Sequence, residues 1–383
     1  MKHLLIVQDK PTQFDVPLYH RIAEKVQDFQ LNILYTQYDR PAPLLDPEIA
    51  RSPQWDHIRD AIYTHHNLTK QQAKNPKEVM AWIREIRPDY VLLSGYFPPL
   101  HRHLAVLLKK QGIPIGLRSD NTLLHSHFSG WKGFAKKILL PRWLCRYDGW
   151  HPVGSLAREY LIQVAGIQKP IFPFPYAVDN DWFFEQSESY REKREEQLAA
   201  LKFPEDAFVV LGILKWHERE DPLTLIDGFI TFAQSNHQAH LVLVGDGPLR
   251  EEVKKRLAGL NDRVYLPGYV PYSQLPRWYA LAQAFVHPAL GEPWGVSVNE
   301  ALACGVPSIV STGVGAGYDL IEEGKTGFIF PTGDAGALAQ CLRTLAALPD
   351  QEKLQTACRE KMRHWHYDRT IEAFREALSW KRR

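Results

Sequence analysis

The sequence predicts an α/β protein of two Rossmann-like, doubly wound domains that face each other across a cleft. Short apolar runs alternate with longer amphipathic segments, which is the pattern of parallel strands covered by helices. Three prolines within Pro170–Pro175 interrupt this alternation, and it then restarts. The length of 383 residues also suits two domains.

The first half of the chain is predicted to form one parallel sheet with covering helices. The predicted strands are His3–Val7, Leu31–Tyr35, Tyr90–Ser94, Ile115–Arg118 and Gly149–Pro152. The predicted helices are Pro17–Val26, Lys77–Ile86, His101–Gln111 and Leu156–Val164.

The second half repeats the pattern after the prolines, which sustain neither a helix nor a central strand. The predicted strands are Phe208–Leu214, Ala239–Val244, Val264–Pro267, Ala284–His287, Pro307–Ser311 and Gly327–Phe330. We therefore predict an N-terminal domain (1–175), an interdomain linker (176–204), a second domain (205–353) and C-terminal helices (354–383) that pack back on the first domain. Ligands are expected at the carboxyl ends of the strands.

The composition excludes several classes of protein. Hydrophobic residues make up 45% and charged residues 23%, as in a soluble globular protein rather than a disordered one. The formal net charge of +2 gives no global attraction for nucleic acid. The four cysteines form no CxxC pair and fit reduced thiols. No apolar run approaches the roughly 20 residues of a membrane span, so we expect a cytoplasmic protein.

The most informative segment begins at Gly291 and reads GEPWGVSVNEALACGVPSIV. A loop follows a strand here, and the helix that starts near Val296 presents backbone N–H groups suited to an anion. Glu292 precedes that helix, and Glu300 lies about one turn inside it, where it can bind a diol. On spacing alone, Glu292 could instead be a loop acid that favours the helix dipole, and Glu300 a solvated helix residue.

The Glu-x7-Glu array followed by ALACGVP resembles the signature of the family-four retaining glycosyltransferases, which have the two-Rossmann glycosyltransferase-B fold. Four further segments resemble motifs of that family in the same order along the chain. They are Pro175–Asp181, Leu243–Arg250, Val264–Val270 and Gly324–Pro331. The resemblance is good over roughly 149–336 and looser in the N-terminal half.

The resemblance implies a nucleotide-sugar donor whose diphosphate is held by two basic side chains after the first strand of the second domain. Lys215 occupies the first of these positions, and Glu220 falls on the second, where the family usually has Lys. Either Arg219 takes this role from the preceding position, or donor binding is weakened. By the same resemblance, Glu292 should contact sugar hydroxyls. The other implied donor contacts are Trp294, Gly295 and Val296 (backbone), Glu300 (ribose) and Val270 (base).

The N-terminal domain is expected to supply the acceptor site. Asp120 and Asn121 follow a strand. The family often has His at this place, whereas this chain has Asp120, with His125 just downstream. Asp120 could equally be an Asx turn that caps the next helix. Asp9 and Gln13, in the first loop, are expected on the acceptor side. We expect Glu292, Lys215 and Asp120 to be the catalytic residues.

We expect no metal and no cofactor, because the histidines lack partners at zinc-like spacing. The glycines at 313–317 fit a tight packing turn better than a dinucleotide motif. The segment Trp131–Arg146 is amphipathic and basic. It could lie on an anionic membrane, or it could pack its apolar side on the first sheet.

These features predict a metal-independent, retaining glycosyltransferase that acts on a glycan or lipid-linked acceptor in surface polysaccharide or glycolipid synthesis. Its partners would be the nucleotide-sugar, the acceptor and the inner face of the cell membrane, with no nucleic acid. Two alternatives stay open: a relative with epimerase or phosphorylase chemistry, and a catalytically silent nucleotide-sugar-binding or scaffold subunit, which Glu220 suggests.

Overall fold

The protein consists of two compact units, each built on its own parallel sheet. The structure, a computed structural model, describes residues 1–37, 60–126 and 130–380. Of these, the residues up to Ala177 and from His366 onward form the first unit, and Val178–Trp365 forms the second.

The first unit contains a six-stranded parallel sheet in the order β3-β2-β1-β4-β5-β6. Its strands are β1 (Lys2–Gln8), β2 (Phe29–Tyr35), β3 (Thr64–Asn67), β4 (Tyr90–Ser94), β5 (Ile115–Ser119) and β6 (Gly149–Pro152). The central strand β1 is fully buried over Leu4–Val7, because helices cover both faces of a doubly wound sheet. Leu4 pairs with Leu31 on one side and with Tyr90 on the other.

The edge strand β3 was not predicted. Its sequence is Thr-His-His-Asn, and its residues are exposed or half-buried. An edge strand that packs little apolar surface lacks the hydrophobic run on which sequence-based prediction depends. His66, which belongs to this strand, stacks on Trp82 at 4.8 Å between ring centroids.

Six α-helices with residues in the described part of the first unit accompany this sheet. They are α1 (Asp15–Lys25), α2 (Pro76–Ile86), α3 (Pro99–Lys110), α4 (Gly130–Leu144), α5 (Ser155–Ala165) and, at the end of the chain, α15 (Tyr367–Ser379), with a short 3-10 turn at Gln72–Lys74.

Two ion pairs hold the last helix, α15, to residues near the N-terminus of the chain. Arg21 donates twice to the carboxylate of Asp368 at 3.0 Å, and Arg375 does the same to Asp28 at 2.9 and 3.1 Å. The segment 354–383, predicted as one set of C-terminal helices, is therefore divided, since α14 (Gln351–Arg363) belongs to the second unit.

The second unit contains another six-stranded parallel sheet, in the order β12-β11-β10-β7-β8-β9. Its strands are β7 (Phe208–Ile213), β8 (Ala239–Val244), β9 (Val264–Gly268), β10 (Ala284–His287), β11 (Ser308–Ser311) and β12 (Gly327–Phe330). The fold class predicted from the sequence, two Rossmann-like doubly wound domains, is confirmed.

The helices of the second unit begin with two that lie in the predicted linker. They are α6 (Asn180–Arg191), α7 (Arg194–Ala200), α8 (Pro222–Ala233), α9 (Arg250–Leu257), α10 (Leu275–Leu281), α11 (Val296–Ala303), α12 (Gly317–Leu320), α13 (Ala335–Ala346) and α14. Most of the predicted linker is therefore helical: Asp179 caps α6 by accepting the Trp182 N–H at 3.1 Å, and Arg191 donates to the Cys304 carbonyl at 2.9 Å.

Candidate functional site

The loop after β7 is organised around the buried carboxylate of Glu220. Its Oε2 accepts the backbone N–H of Lys215 at 2.6 Å, and its Oε1 accepts from the Arg219 guanidinium at 2.7 Å. Glu220 is 7% exposed, and burial raises the pKa of its carboxyl to about 7 against these two favourable contacts. Glu220, at the position where the family usually has Lys, therefore directs its side chain into its own loop.

Arg219 lies between two carboxylates, those of Glu220 and Glu292. Its backbone carbonyl also accepts the N–H of Leu290 at 2.9 Å, so the loop after β7 is tied to the loop after β10. The side chains of Arg219 and Glu292 are 34% and 24% exposed, whereas the Glu220 side chain is 10% exposed. Arg219 and Glu292 are therefore open to a ligand in a way that Glu220 is not.

The loop that carries Glu292 is fixed by the turn after β11. The Glu292 N–H donates to the Gly313 carbonyl, and the Glu292 carbonyl accepts from the Gly315 N–H, both at 2.9 Å. A Cβ at Gly315 would lie 2.0 Å from the Pro293 carbonyl oxygen, so only glycine fits this close approach. The predicted packing role of the glycines at 313–317 agrees with these contacts.

Gly295 ends this loop at φ 97°, and α11 begins at Val296. Trp294 is 3% exposed; its indole donates to Asn299 Oδ1 at 2.8 Å and stacks on Trp365 at 5.2 Å. The Trp294 side chain is thus directed into the protein, and the loop offers a ligand its backbone groups. The first-turn N–H groups of a helix form an anion-binding position.

Glu300 lies within α11 and is 2% exposed, so the alternative that it is a solvated helix residue is wrong. The Tyr279 hydroxyl donates to its Oε2 at 2.9 Å. Burial raises the pKa of the Glu300 carboxyl to about 7. Val270, predicted near the base, follows β9 and is half-buried. Their roles toward ribose and base stay predictions.

Sequence analysis missed His287, the last residue of β10. It is 4% exposed, and within the described part of the chain neither ring nitrogen has a hydrogen-bond partner. Burial lowers the pKa of the imidazole to about 4. A Cβ added at Gly295 would lie 3.3 Å from His287 Nε2, so the ring lies under the start of α11. A histidine that ends an otherwise apolar strand was the available signal.

The predicted acceptor residues of the first unit follow β1 and β5, each of which pairs with β4. The Asp120 Oδ2 accepts from the Tyr176 hydroxyl at 3.0 Å, and Asn121 donates to Ser119 Oγ at 3.0 Å. The alternative that Asp120 caps the next helix is wrong, because α4 begins only at Gly130. His125 Nδ1 lies 2.8 Å from Thr122 Oγ1.

The other two predicted acceptor residues lie in the loop after β1. Asp9 accepts from Thr36 Oγ1 at 2.9 Å and is 41% exposed, and Gln13 is half-buried just before α1. All five predicted acceptor residues are thus at the carboxyl edge of one sheet.

A buried ion pair beneath this edge was also missed. Arg118, on β5, donates to Asp15 at 2.9 Å, and its guanidinium lies 3.7 Å from the centre of the Phe174 ring. Both partners are nearly fully buried, so the pair joins the start of α1 to the end of β5. Neither residue has a sequence spacing that would have revealed the pairing.

No group of three or more His, Cys, Asp or Glu side chains in 1–37, 60–126 and 130–380 is arranged to hold a metal ion. Over the same ranges, no helix is long and apolar enough to cross a bilayer.

Comparison with known proteins gives matches in sequence and in structure. Residues 205–347 match the family model described as Glycosyl transferases group 1. The sulfoquinovosyl transferase SQD2 of Arabidopsis thaliana is 36% identical over 118 residues, which is 30% of this chain and 22% of SQD2. The alpha-monoglucosyldiacylglycerol synthase of Acholeplasma laidlawii is 27% identical over 146 residues, 35% of each protein. The chain thus matches only about a fifth to a third of the length of these relatives.

The fold extends the likeness to the whole chain. The structure of Anabaena HepE in complex with UDP superposes with a TM-score of 0.74 at 19% identity, covering 99% of this chain and 100% of HepE. At an identity this low the superposition shows a shared fold alone. That fold agrees with the two-Rossmann architecture that the sequence resemblance implied. The second domain thus matches the Glycosyl transferases group 1 model, and the chain has the glycosyltransferase-B fold.

Proposed function

We propose that this protein is a retaining glycosyltransferase that moves a sugar from a nucleotide-sugar to a hydroxyl of a glycan or glycolipid. The observation that carries the proposal is the cluster of Lys215, Arg219 and Glu292 on two tied loops beside the start of α11. A departing diphosphate needs cations and N–H donors, and sugar hydroxyls need a carboxylate. This cluster offers both within the domain that the family model matches.

In the proposed donor complex, Lys215 and Arg219 face the diphosphate together with the backbone N–H groups that begin α11. Glu292 accepts sugar hydroxyls, and its ion pair with Arg219 holds the two side chains in place before the donor arrives. Arg219 takes the place of the missing second lysine, because Glu220 is turned away into its loop.

The proposed reaction follows the retaining course that the family resemblance implies. The bond between the anomeric carbon and the diphosphate oxygen breaks, and the acceptor oxygen bonds to the same face of that carbon. The acceptor proton passes to the leaving phosphate oxygen, so no protein nucleophile is required. Asp120, held by Tyr176, would orient the acceptor hydroxyl. Lys215 and Arg219 supply the positive charge, so we propose that no metal or other cofactor takes part.

Thermal unfolding with a panel of nucleoside diphosphates and nucleotide-sugars, with EDTA present, tests donor binding. A ligand at 100 times its Kd adds about 2.7 kcal/mol to the stability of the folded state. We expect one base to stabilise the protein selectively and its nucleotide-sugar to be turned over in EDTA. The Arg219→Ala variant should lose this response. Stabilisation without any turnover would favour the silent nucleotide-sugar-binding subunit instead.

We also propose that α4 contacts an anionic membrane from the cytoplasmic side. Trp131, Phe134 and Leu139 are 78%, 66% and 57% exposed, and Lys136 and Lys137 lie exposed on the same helix. Exposed aromatic and apolar side chains beside lysines are typical of a helix that lies in the lipid headgroup region. Co-sedimentation with phosphatidylglycerol vesicles should fall in Trp131→Ala/Phe134→Ala and should not fall in a Lys109→Ala control.

A further inference from the structure

The first unit contains a groove that no function has yet been assigned to. Its volume is about 860 Å³, within the range of small-molecule sites. It opens at the carboxyl ends of β1 and β2, with Asp9 and Thr36 at one end. Carboxyl ends of parallel strands are where doubly wound sheets bind ligands. Its position therefore favours a ligand site over a packing defect.

One wall of the groove is apolar. It is formed by the start and middle of α3, where Pro98, Leu100, Val106 and Leu107 line the space. Val106 and Leu107 are only half-buried, although neighbouring Leu104 and Leu108 are fully buried in the core. The apolar side chains of this wall are therefore available to contact a ligand instead of packing in the protein interior.

The opposite wall is cationic. Lys70, Lys74 and Lys77 line it from the stretch between β3 and the first turn of α2. All three residues are exposed, and Asp9 is the one acidic residue among the described lining residues. Three ammonium groups facing an apolar wall are complementary to a molecule with an anionic group and a hydrocarbon chain.

Asp9 gives the groove a fixed hydrogen-bond acceptor. Its Oδ1 accepts from Thr36 at 2.9 Å and lies 4.0 Å from His101 Nε2. His101 is fully buried; its Nδ1 lies 3.1 Å from the Gly95 carbonyl, and its Nε2 has no hydrogen bond to any described residue. The exposed part of Asp9 is available to a hydroxyl group.

We propose that this groove binds a phosphate-bearing lipid as the acceptor, with its phosphate at the lysines, its chain on the α3 wall and its hydroxyl at Asp9. The proposal rests on the proposed function in one respect, since it names the class of acceptor for that transfer. It requires an amphiphile, because inorganic phosphate would leave the apolar wall unused and a neutral lipid would bring no anion to the lysines.

Titration calorimetry with a short-chain, monomeric lipid tests the proposal on the full chain. The probe is dihexanoyl phosphatidylglycerol, and the comparisons are dihexanoylglycerol, which has the chains and a hydroxyl but no phosphate, and glycerol phosphate. We expect the first to bind and the other two to bind at least about tenfold more weakly. Lys74→Glu/Lys77→Glu should weaken the first by about tenfold or more, and Val106→Trp should do so by filling the groove.

The matched control is Lys254→Glu/Lys255→Glu, which reverses two exposed charges on α9 of the second unit and should leave binding of the monomeric lipid unchanged. Equal binding of glycerol phosphate would reduce the groove to a phosphate site, and equal binding of dihexanoylglycerol would reduce it to an apolar surface; either result overturns the proposal. So would unchanged binding in both groove variants. Nucleoside diphosphate binding, measured on the same samples, shows separately whether the donor site of the proposed function stands.

Discussion

Replacing Glu220 by Gln removes a buried charge but keeps an oxygen that can accept the Lys215 N–H. The wild-type carboxyl receives that N–H and one Arg219 N–H, yet desolvation outweighs both and raises its pKa from 4.5 to about 7. The folded protein therefore retains a proton on Glu220 over a pH range in which the unfolded chain has lost it.

The sign and size of the effect follow from this shift. Between about pH 4.5 and about pH 7 the folded state binds more protons than the unfolded state, so Glu220 lowers wild-type stability as the pH rises. A pKa that rises from 4.5 to about 7 corresponds to about 3 kcal/mol. The amide side chain of the Glu220→Gln variant does not lose a proton in this pH range. The stability of the variant relative to wild type should therefore improve by about 3 kcal/mol from low to neutral pH.

Urea unfolding of both proteins from about pH 4 to about pH 8 measures this difference. Glu300 and His287 also titrate abnormally, but they are present in both proteins and cancel. Glu218→Gln, an exposed acid on the same loop, is the matched control and should show no comparable trend. A stability difference that stays constant with pH, or that moves against the Gln variant as pH rises, would refute the assignment of a buried, desolvated carboxyl.

Three other substitutions test the site and its support. Lys215→Ala and Glu292→Ala should each lower transfer at least about 100-fold with unfolding unchanged, because neither side chain is in the core; near-normal turnover would remove that residue from the site. Glu220→Lys, which restores the usual family residue, should cost about 3 kcal/mol in urea unfolding without tighter nucleotide binding, since it places an ammonium against Arg219. Tighter binding would show that Glu220 does oppose the phosphate. Gly315→Ala should destabilise by about 3 kcal/mol or more in the same assay, through its clash with the Pro293 carbonyl; an unchanged midpoint would contradict the described loop packing.

Sequence reasoning was most successful where burial imposes a pattern. Strands inside the two sheets, such as β1, β4 and β8, are buried apolar runs, because a doubly wound sheet is covered on both faces. The edge strand β3 is polar and carries no such signal. The region 176–204 was predicted as a linker with a charged helical stretch around Glu185–Leu201. The structure gives it two helices, α6 and α7, of which the first begins earlier, at Asn180, after the Asp179 cap.

The candidate site was predictable as a set of residues but not as a geometry. Glu292 and Glu300 were identified from their spacing and their resemblance to a family signature. That Glu220 turns inward depends on a hydrogen bond to a backbone N–H five positions earlier, which residue identity does not encode. The Arg118–Asp15 pair joins residues 103 positions apart and was invisible for the same reason.

The return of α15 to the first unit has a consequence for the order in which the protein is made. A ribosome synthesises residues 178–365, the described part of the second unit, before it synthesises α15. The second unit can therefore complete its sheet during synthesis, whereas the first must wait for the partners of Arg21 and Asp28. The domain that begins first in the sequence is thus the last to be finished.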